Sequence, residues 1–342
     1  MANSFSKEER VAFENILEGF NDALVMSSIV SKYNTNGTEM ERSSDTIWRP
    51  MPYIAQSYDG SDATSNFGDN TQLSVPATIG YQKHSTALLT AKELRDMLQE
   101  NRLGQAAAQK LASDINVATL TVASNQGTIV AARSTAASGY NDVAEADALM
   151  NEQGVMMDGR SFALSSRDYN GMAGDLAARQ TMNNIPTEAY RRSYVGEVAG
   201  FQTFKMDYAN RLIAAAGVTV TVNGANQYTT PAATSTAGSG ETSNVDNRTQ
   251  SLTISVGGGT VKVGDAFTIA GVNAVHHITK QDTGQLKTFR INAIVSGSGG
   301  SGVVTISPAI VAADSSPTDS ELQYKNVTAT PANGAAIVFL NI

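Results

Sequence analysis

Apolar residues recur along this chain at distinct spacings, and each spacing predicts a different element. Phe13, Ile16, Leu17, Phe20 and Leu24 fall three and four apart, on one face of a helix. Ser6-Lys7-Glu8-Glu9 is a capping-box pattern that opens this helix. Glu14, Glu18 and Asp22 fall four apart on another face, either a solvated acidic side or a docking stripe for a basic partner helix. A second capping box, Thr90-Ala91-Lys92-Glu93, precedes the longest helical pattern: Leu94, Met97, Leu98, Leu111, Ile115, Ala118 and Val122. Continuous to about Ser124, it would be ~50 Å long at ~1.5 Å per residue, with Gly104 as its weak point. It lacks heptads, so the expectation is a spine rather than a coiled coil.

Between the two helical patterns, residues 31–85 are rich in Asn, Gly, Ser, Thr and Asp. Leu73, Val75, Ala77 and Ile79 alternate as a strand would, and Pro76 within them confines any strand to a sheet edge. An extended loop or hairpin is expected there, and such loops usually serve binding. After the long helix, residues 127–216 read as mixed α/β. Asn141–Gln153 predicts a helix, Ser161–Leu164 a short strand, and Arg167–Met182 a helix ended near Pro186.

At about Gly217 the period changes to two. Val218–Val222, Leu252–Val256, Val261–Ile269, Phe289–Val295 and Val303–Ile306 are short alternating runs separated by Gly, Ser, Asn and Asp. That pattern predicts a small barrel or sandwich, a separate inserted domain. The chain is therefore read as α+β. Its expected parts are an arm (1–32), an extended loop (33–85), a spine helix (86–126), an α/β region (127–216), a β-barrel (217–332) and a return to the first core (333–342).

Composition narrows the function. Charged residues are 16%, apolar residues 41%, and net charge is -8, with a pI near 5.0. An acidic balance argues against a protein whose main task is to grip DNA phosphates. There is no cysteine, so thiolate chemistry is excluded, and no apolar run approaches the ~20 residues a membrane helix needs. His276 and His277 are adjacent in strand-like sequence, where neighbours point to opposite faces, which makes a poor joint metal site. Gly297, Gly299 and Gly302 match G-x-G-x-x-G literally, but a strand follows where phosphate binding needs a helix. Asp59, Asp62 and Asp69 lack EF-hand spacing and read as solvated loop acids. Neither an enzyme nor a cofactor is expected.

Met40–Pro50, MERSSDTIWRP, holds the only tryptophan, Trp48, close to Arg42 and Arg49. It resembles a run near the amino end of the coat proteins of P22-like tailed bacteriophages. In the same order as in that family come Ser161–Leu176, Ile185–Arg191 (IPTEAYR) with Val198–Phe201 (VAGF), Val245–Arg248 (VDNR) and Gly264–Val272 (GDAFTIAGV). The resemblance implies an HK97-like coat fold: an amino-terminal arm, an extended loop, a peripheral domain with a long spine helix, an axial domain and an inserted β-barrel. P22-like coats continue past the point matching Ala335–Ile342. Here the chain stops at AAIVFLNI, either cut short or closing its core differently.

The function so implied is assembly of an icosahedral phage head in the host cytoplasm. Pentamers and hexamers form a procapsid around a scaffolding protein, with a portal protein at one vertex. Scaffold exit, packaging of double-stranded DNA with non-specific contact only, and expansion follow. Glu14 and Glu18 match the acidic positions that meet the scaffold in this family. Arg42, Trp48, Arg49 and Glu241 are candidates for contacts between subunits; Glu241 is the one charge in Ala237–Asn244, which matches a loop touching a neighbouring capsomer. The alternative is an accessory virion protein, a decoration or fibre module binding through its β domain. The long helix and early loop argue against it.

Overall fold

The computed structural model describes residues 24–31, 46–64, 67–78, 80–86, 97–133, 135–137, 139–178, 195–210, 212–297, 300–314 and 316–341. Helix α1 is Val25–Ile29. Strands β1 (Thr46–Pro50) and β2 (Ser74–Thr78) form an antiparallel ribbon in which Trp48 faces Pro76. The Met51–Leu73 hydrogen bond continues this register, so Trp48–Pro76 is a non-hydrogen-bonded pair and the missing N–H of Pro76 leaves no ladder partner unmet.

Helix α2, Met97–Gln126, has 30 residues and continues through Gly104; at 1.5 Å per residue this is ~45 Å. The buried face differs from the expected one. Asn116 and Leu120 are buried, whereas Ile115 and Val122 are 49% and 53% exposed. The reason is polar: Asn116 Oδ1 accepts from the amides of Met26 (2.9 Å) and Ser27 (3.3 Å), capping the start of α1. Leu120 then packs with Met26 and Met206.

The α/β region contains α3 (Tyr140–Glu152), β3 (Ser161–Ser165), α4 (Ser166–Ala178), β4 (Glu197–Val198) and β5 (Phe201–Met206). β3 runs parallel to β5, and β4 pairs with β5. Val143, Met172, Val195 and Phe201 form its core. Arg160 is buried beside them. Its guanidinium donates to Asp147 Oδ1 (2.5 Å), Asn151 Oδ1 (2.8 Å) and the Val155 carbonyl (2.7 Å), which satisfies the charge that burial would otherwise strand.

The late domain is a closed barrel. Its strands are β6 (Val218–Val222), β9 (Gln250–Gly258), β10 (Ala266–Val275), β11 (Asp282–Ser296), β12 (Gly300–Ser307) and β13 (Ala336–Phe339), in the order β10-β11-β12-β9-β6-β13. A side ribbon, β7 (Thr234–Thr236) with β8 (Thr242–Asn244), stands apart from it, and helix α5 (Asp319–Tyr324) lies between β12 and β13. Leu252, Ile254, Phe267, Phe289, Ile291 and Ile306 fill the interior. Phe267 stacks on Phe289 at 5.7 Å and meets Phe339 edge-on at 6.3 Å. Truncating a fully buried Phe such as Phe289 to Ala would cost ~3–5 kcal/mol.

Two expectations change here. Segment 333–342, expected to leave the barrel, supplies its closing strand: Ile337 pairs with both Ile269 and Val220. The run Val261–Ile269 is not one strand, because Asp265 turns the chain. Its Oδ2 accepts from the Lys262 amide at 2.8 Å, and β10 begins only at Ala266. Asn341 ties the ends of the insertion together, donating to the Ile213 carbonyl (2.8 Å) and Asp265 Oδ1 (2.9 Å).

Candidate assembly surfaces

Two exposed projections and one internal seam stand out. The first projection is the loop containing the β1–β2 ribbon. Trp48 is half-buried on it and Arg49 is exposed opposite Val75. Beyond the ribbon, the Met51 amide donates to the Leu73 carbonyl at 2.8 Å, and Leu73 is buried. The loop between them is extended: Tyr53 donates to Gln72 Oε1 at 2.7 Å, and Asp62 Oδ1 accepts from the Thr64 amide and hydroxyl at 3.0 and 2.6 Å. Those Thr64 bonds hold the Asp62 carboxyl below its usual range, so it is a turn-forming acid.

The second projection is the side ribbon β7–β8, exposed throughout 234–244. Glu241 sits at its tip, where its carbonyl accepts from the Ala237 amide at 2.9 Å. The motif VDNR is its base. Asn247 accepts from the Ala232 amide (3.1 Å) and donates to the Ala232 carbonyl (2.8 Å), bridging the two legs. Arg248 forks onto Asp246 at 2.9 and 2.8 Å. That contact holds the Asp246 carboxyl below its usual range.

The seam joins the barrel to the rest of the chain. Arg290, 4% exposed, donates to the Gly127 carbonyl (2.8 Å) just past α2 and to the Gly264 carbonyl (2.6 Å). The Thr288 hydroxyl donates to the Thr128 carbonyl beside it. A cleft of about 210 Å³ follows, lined by Val122, Asn125, Val263 and Asn292 among others. Farther along, Gly154 passes so close to the His276 ring that a Cβ there would lie 2.9 Å from it and force one of the two to shift. The His277 amide donates to the Gln153 carbonyl at 3.3 Å. Burial, and then the charges of Lys280, His276 and Lys287, lower the His277 pKa. The histidines lie in a turn after β10 rather than in a strand, and His276 Nδ1 accepts from the Ile278 and Thr279 amides at 3.2 and 3.1 Å.

Glu14, Glu18 and Arg42 lie outside the described residues, as do both early capping boxes and Ile185–Arg191. Trp48 and Arg49 share the first projection, and Glu241 lies on the second. Among the described residues no group of three or more His, Asp or Glu could hold a metal ion, and no helix is long and apolar enough to cross a membrane. Sequence reading missed Asn116, Arg290 and helix α5, and it took VDNR only as a motif of the resemblance, without a role for Asn247. Only α5 carried a usable signal, the capping box Thr318–Glu321, in which Thr318 Oγ1 accepts from the Glu321 amide at 3.3 Å.

Comparison with known proteins finds two similar solved structures and a family model. Of solved structures, the coat protein I-domain of CUS-3 is similar at 44% identity over 36% of this chain and 96% of that one, with a TM-score of 0.28. A chain from Mycobacterium phage Che8 is similar at 12% identity over 86% of this chain and 88% of that one, with a TM-score of 0.44. The family model described as P22 coat protein, gene protein 5, matches residues 1–342. A chain matched along its whole length by that model belongs to the P22 coat protein family.

Proposed function

We propose that this coat protein self-assembles into the icosahedral head of a tailed phage, through a scaffold-directed procapsid that expands as DNA is packaged. The observation that carries this reading is the family match over residues 1–342. The two exposed projections support it, because a shell subunit needs surfaces that meet copies of itself rather than a cleft for chemistry. Many modest contacts become strong when they act together in a closed shell. In this reading the parts follow the HK97-like plan: arm, extended loop, spine helix with its peripheral domain, axial α/β region and inserted barrel. The chain serves as a structural subunit and not as an enzyme. Its partners are its own copies, a basic scaffolding protein met by Glu14 and Glu18, a portal protein, and DNA held only non-specifically. Net charge -8 accords with that last point. It is assembled in the bacterial cytoplasm.

Electron microscopy of the purified chain, expressed with and without its scaffold, tests this. Closed regular shells that depend on the scaffold are the expected result. Monomers alone, with scaffold present, would overturn the assembly reading and favour an accessory virion role.

A further inference from the structure

The extended loop is held by the barrel domain, through residues some 250 positions away. Gln56 Nε2 donates to the Asp319 carbonyl at 3.0 Å, and the Asp69 amide donates to Asp319 Oδ2 at 2.9 Å. The Thr71 amide donates to Gln323 Oε1 at 3.1 Å, and the Tyr324 hydroxyl donates to the Thr71 carbonyl at 2.8 Å. Gly68 lets the backbone pass: a Cβ there would lie 2.8 Å from Asp319 Oδ2.

Helix α5, which carries all three partners, is itself fixed to the barrel. Glu321 is buried and its Oε1 accepts from the Thr230 hydroxyl at 2.6 Å. After the helix, the Asn326 amide donates to the Val311 carbonyl at 3.0 Å. Gln323 is 1% exposed, yet its Nε2 is buried with no hydrogen-bond partner among the described residues. A buried, half-satisfied amide is costlier than an apolar side chain of the same size. The half that is used, Oε1, serves the loop.

We propose that Asp319, Gln323 and Tyr324 are positioning residues, a clasp on the barrel that sets the path of the extended loop. In consequence the β1–β2 ribbon and Trp48 are presented to a neighbouring subunit at a direction fixed by the inserted domain. The assembly part of this inference rests on the coat-shell reading above. Without the clasp the loop's ordering would fall wholly on the contact with the neighbour.

The test compares the full-length chain with Gln323→Met plus Tyr324→Phe, and with Tyr324→Phe alone. Amide hydrogen exchange is read in the free subunit, and shell yield and diameter are read with scaffold. In the double variant the Thr71 amide, which loses its Gln323 acceptor, should exchange ~fivefold faster or more, as expected for a lost hydrogen bond. Barrel amides at Leu252–Val256 should not change, and shells should be fewer and less uniform. Unchanged exchange at Thr71 would overturn the clasp. Faster exchange with normal shells would overturn its positioning role. If barrel amides also speed up in the double variant, Tyr324→Phe, which keeps the ring, decides by the same readouts. Absence of shells from the unsubstituted chain would sink the coat-shell reading, while the exchange data would still judge the clasp.

Discussion

Lys287 Nζ donates to Gln153 Oε1 at 3.1 Å, which joins the barrel wall to the end of helix α3 through a buried amine and a neutral acceptor. Lys287 is 9% exposed, and burial pushes its pKa from 10.5 down to about 8. The fold therefore favours the neutral amine. Below pH 8 both folded and unfolded chains carry the proton, and the full burial cost is present. Between about pH 8 and 10.5 the unfolded chain binds more protons, so stability rises with pH in that window. Urea unfolding at pH 7 and pH 10 should show Lys287→Met stabilised by ~1–3 kcal/mol at pH 7 and much less at pH 10. An equal effect at both pH values would refute this.

Arg290 joins the end of the spine helix to the barrel corner at Gly264. Arg290→Met keeps much of the bulk but leaves two carbonyls without their donor. The expected loss is ~2–4 kcal/mol of stability. Chemical denaturation would measure it, and a change under ~0.5 kcal/mol, the range typical of a surface substitution, would show that water replaces the guanidinium.

Asn247 bridges the legs of the side ribbon through the amide and carbonyl of Ala232. Asn247→Ala should cost ~1–3 kcal/mol locally, which would appear as faster amide exchange at Ala232 and Val245. Shell formation should weaken, because a loosened base no longer aims Glu241. If exchange quickens while shells form normally, the ribbon does not contribute to assembly.

Glu14→Lys with Glu18→Lys turns the acidic stripe into a like charge for a basic scaffold segment. Each like-charge contact at a surface is worth ~0.2–1 kcal/mol, so the effect should be strongest at low salt. Particle yield and scaffold content should both fall. Unaltered values at low ionic strength would remove these residues from the scaffold contact.

Much of this architecture is written in local patterns. Val218–Val222 and Leu252–Val256 alternate strictly, and both are barrel strands. Asn141–Gln153 is helical within a residue at each end. Pro76 marked an edge strand, and it pairs with Trp48 on a ribbon made only of edges. Glycine, proline and period-two or period-3.6 spacing act within a few residues, so a linear reading captures them. Trp48 is half-buried, and Arg49 and Glu241 are exposed.

Local patterns therefore set the kind and order of elements: a loop, a long helix, an α/β stretch and a late β domain. Tertiary structure decided the rest. It assigned Ala336–Phe339 to the gap between β10 and β6, turned Asn116 rather than Ile115 inward, and clipped Thr71 to Gln323. Each choice pairs groups 68 to 252 positions apart. No local period encodes such a pair, because its free energy arises only once both partners share a surface closed to water.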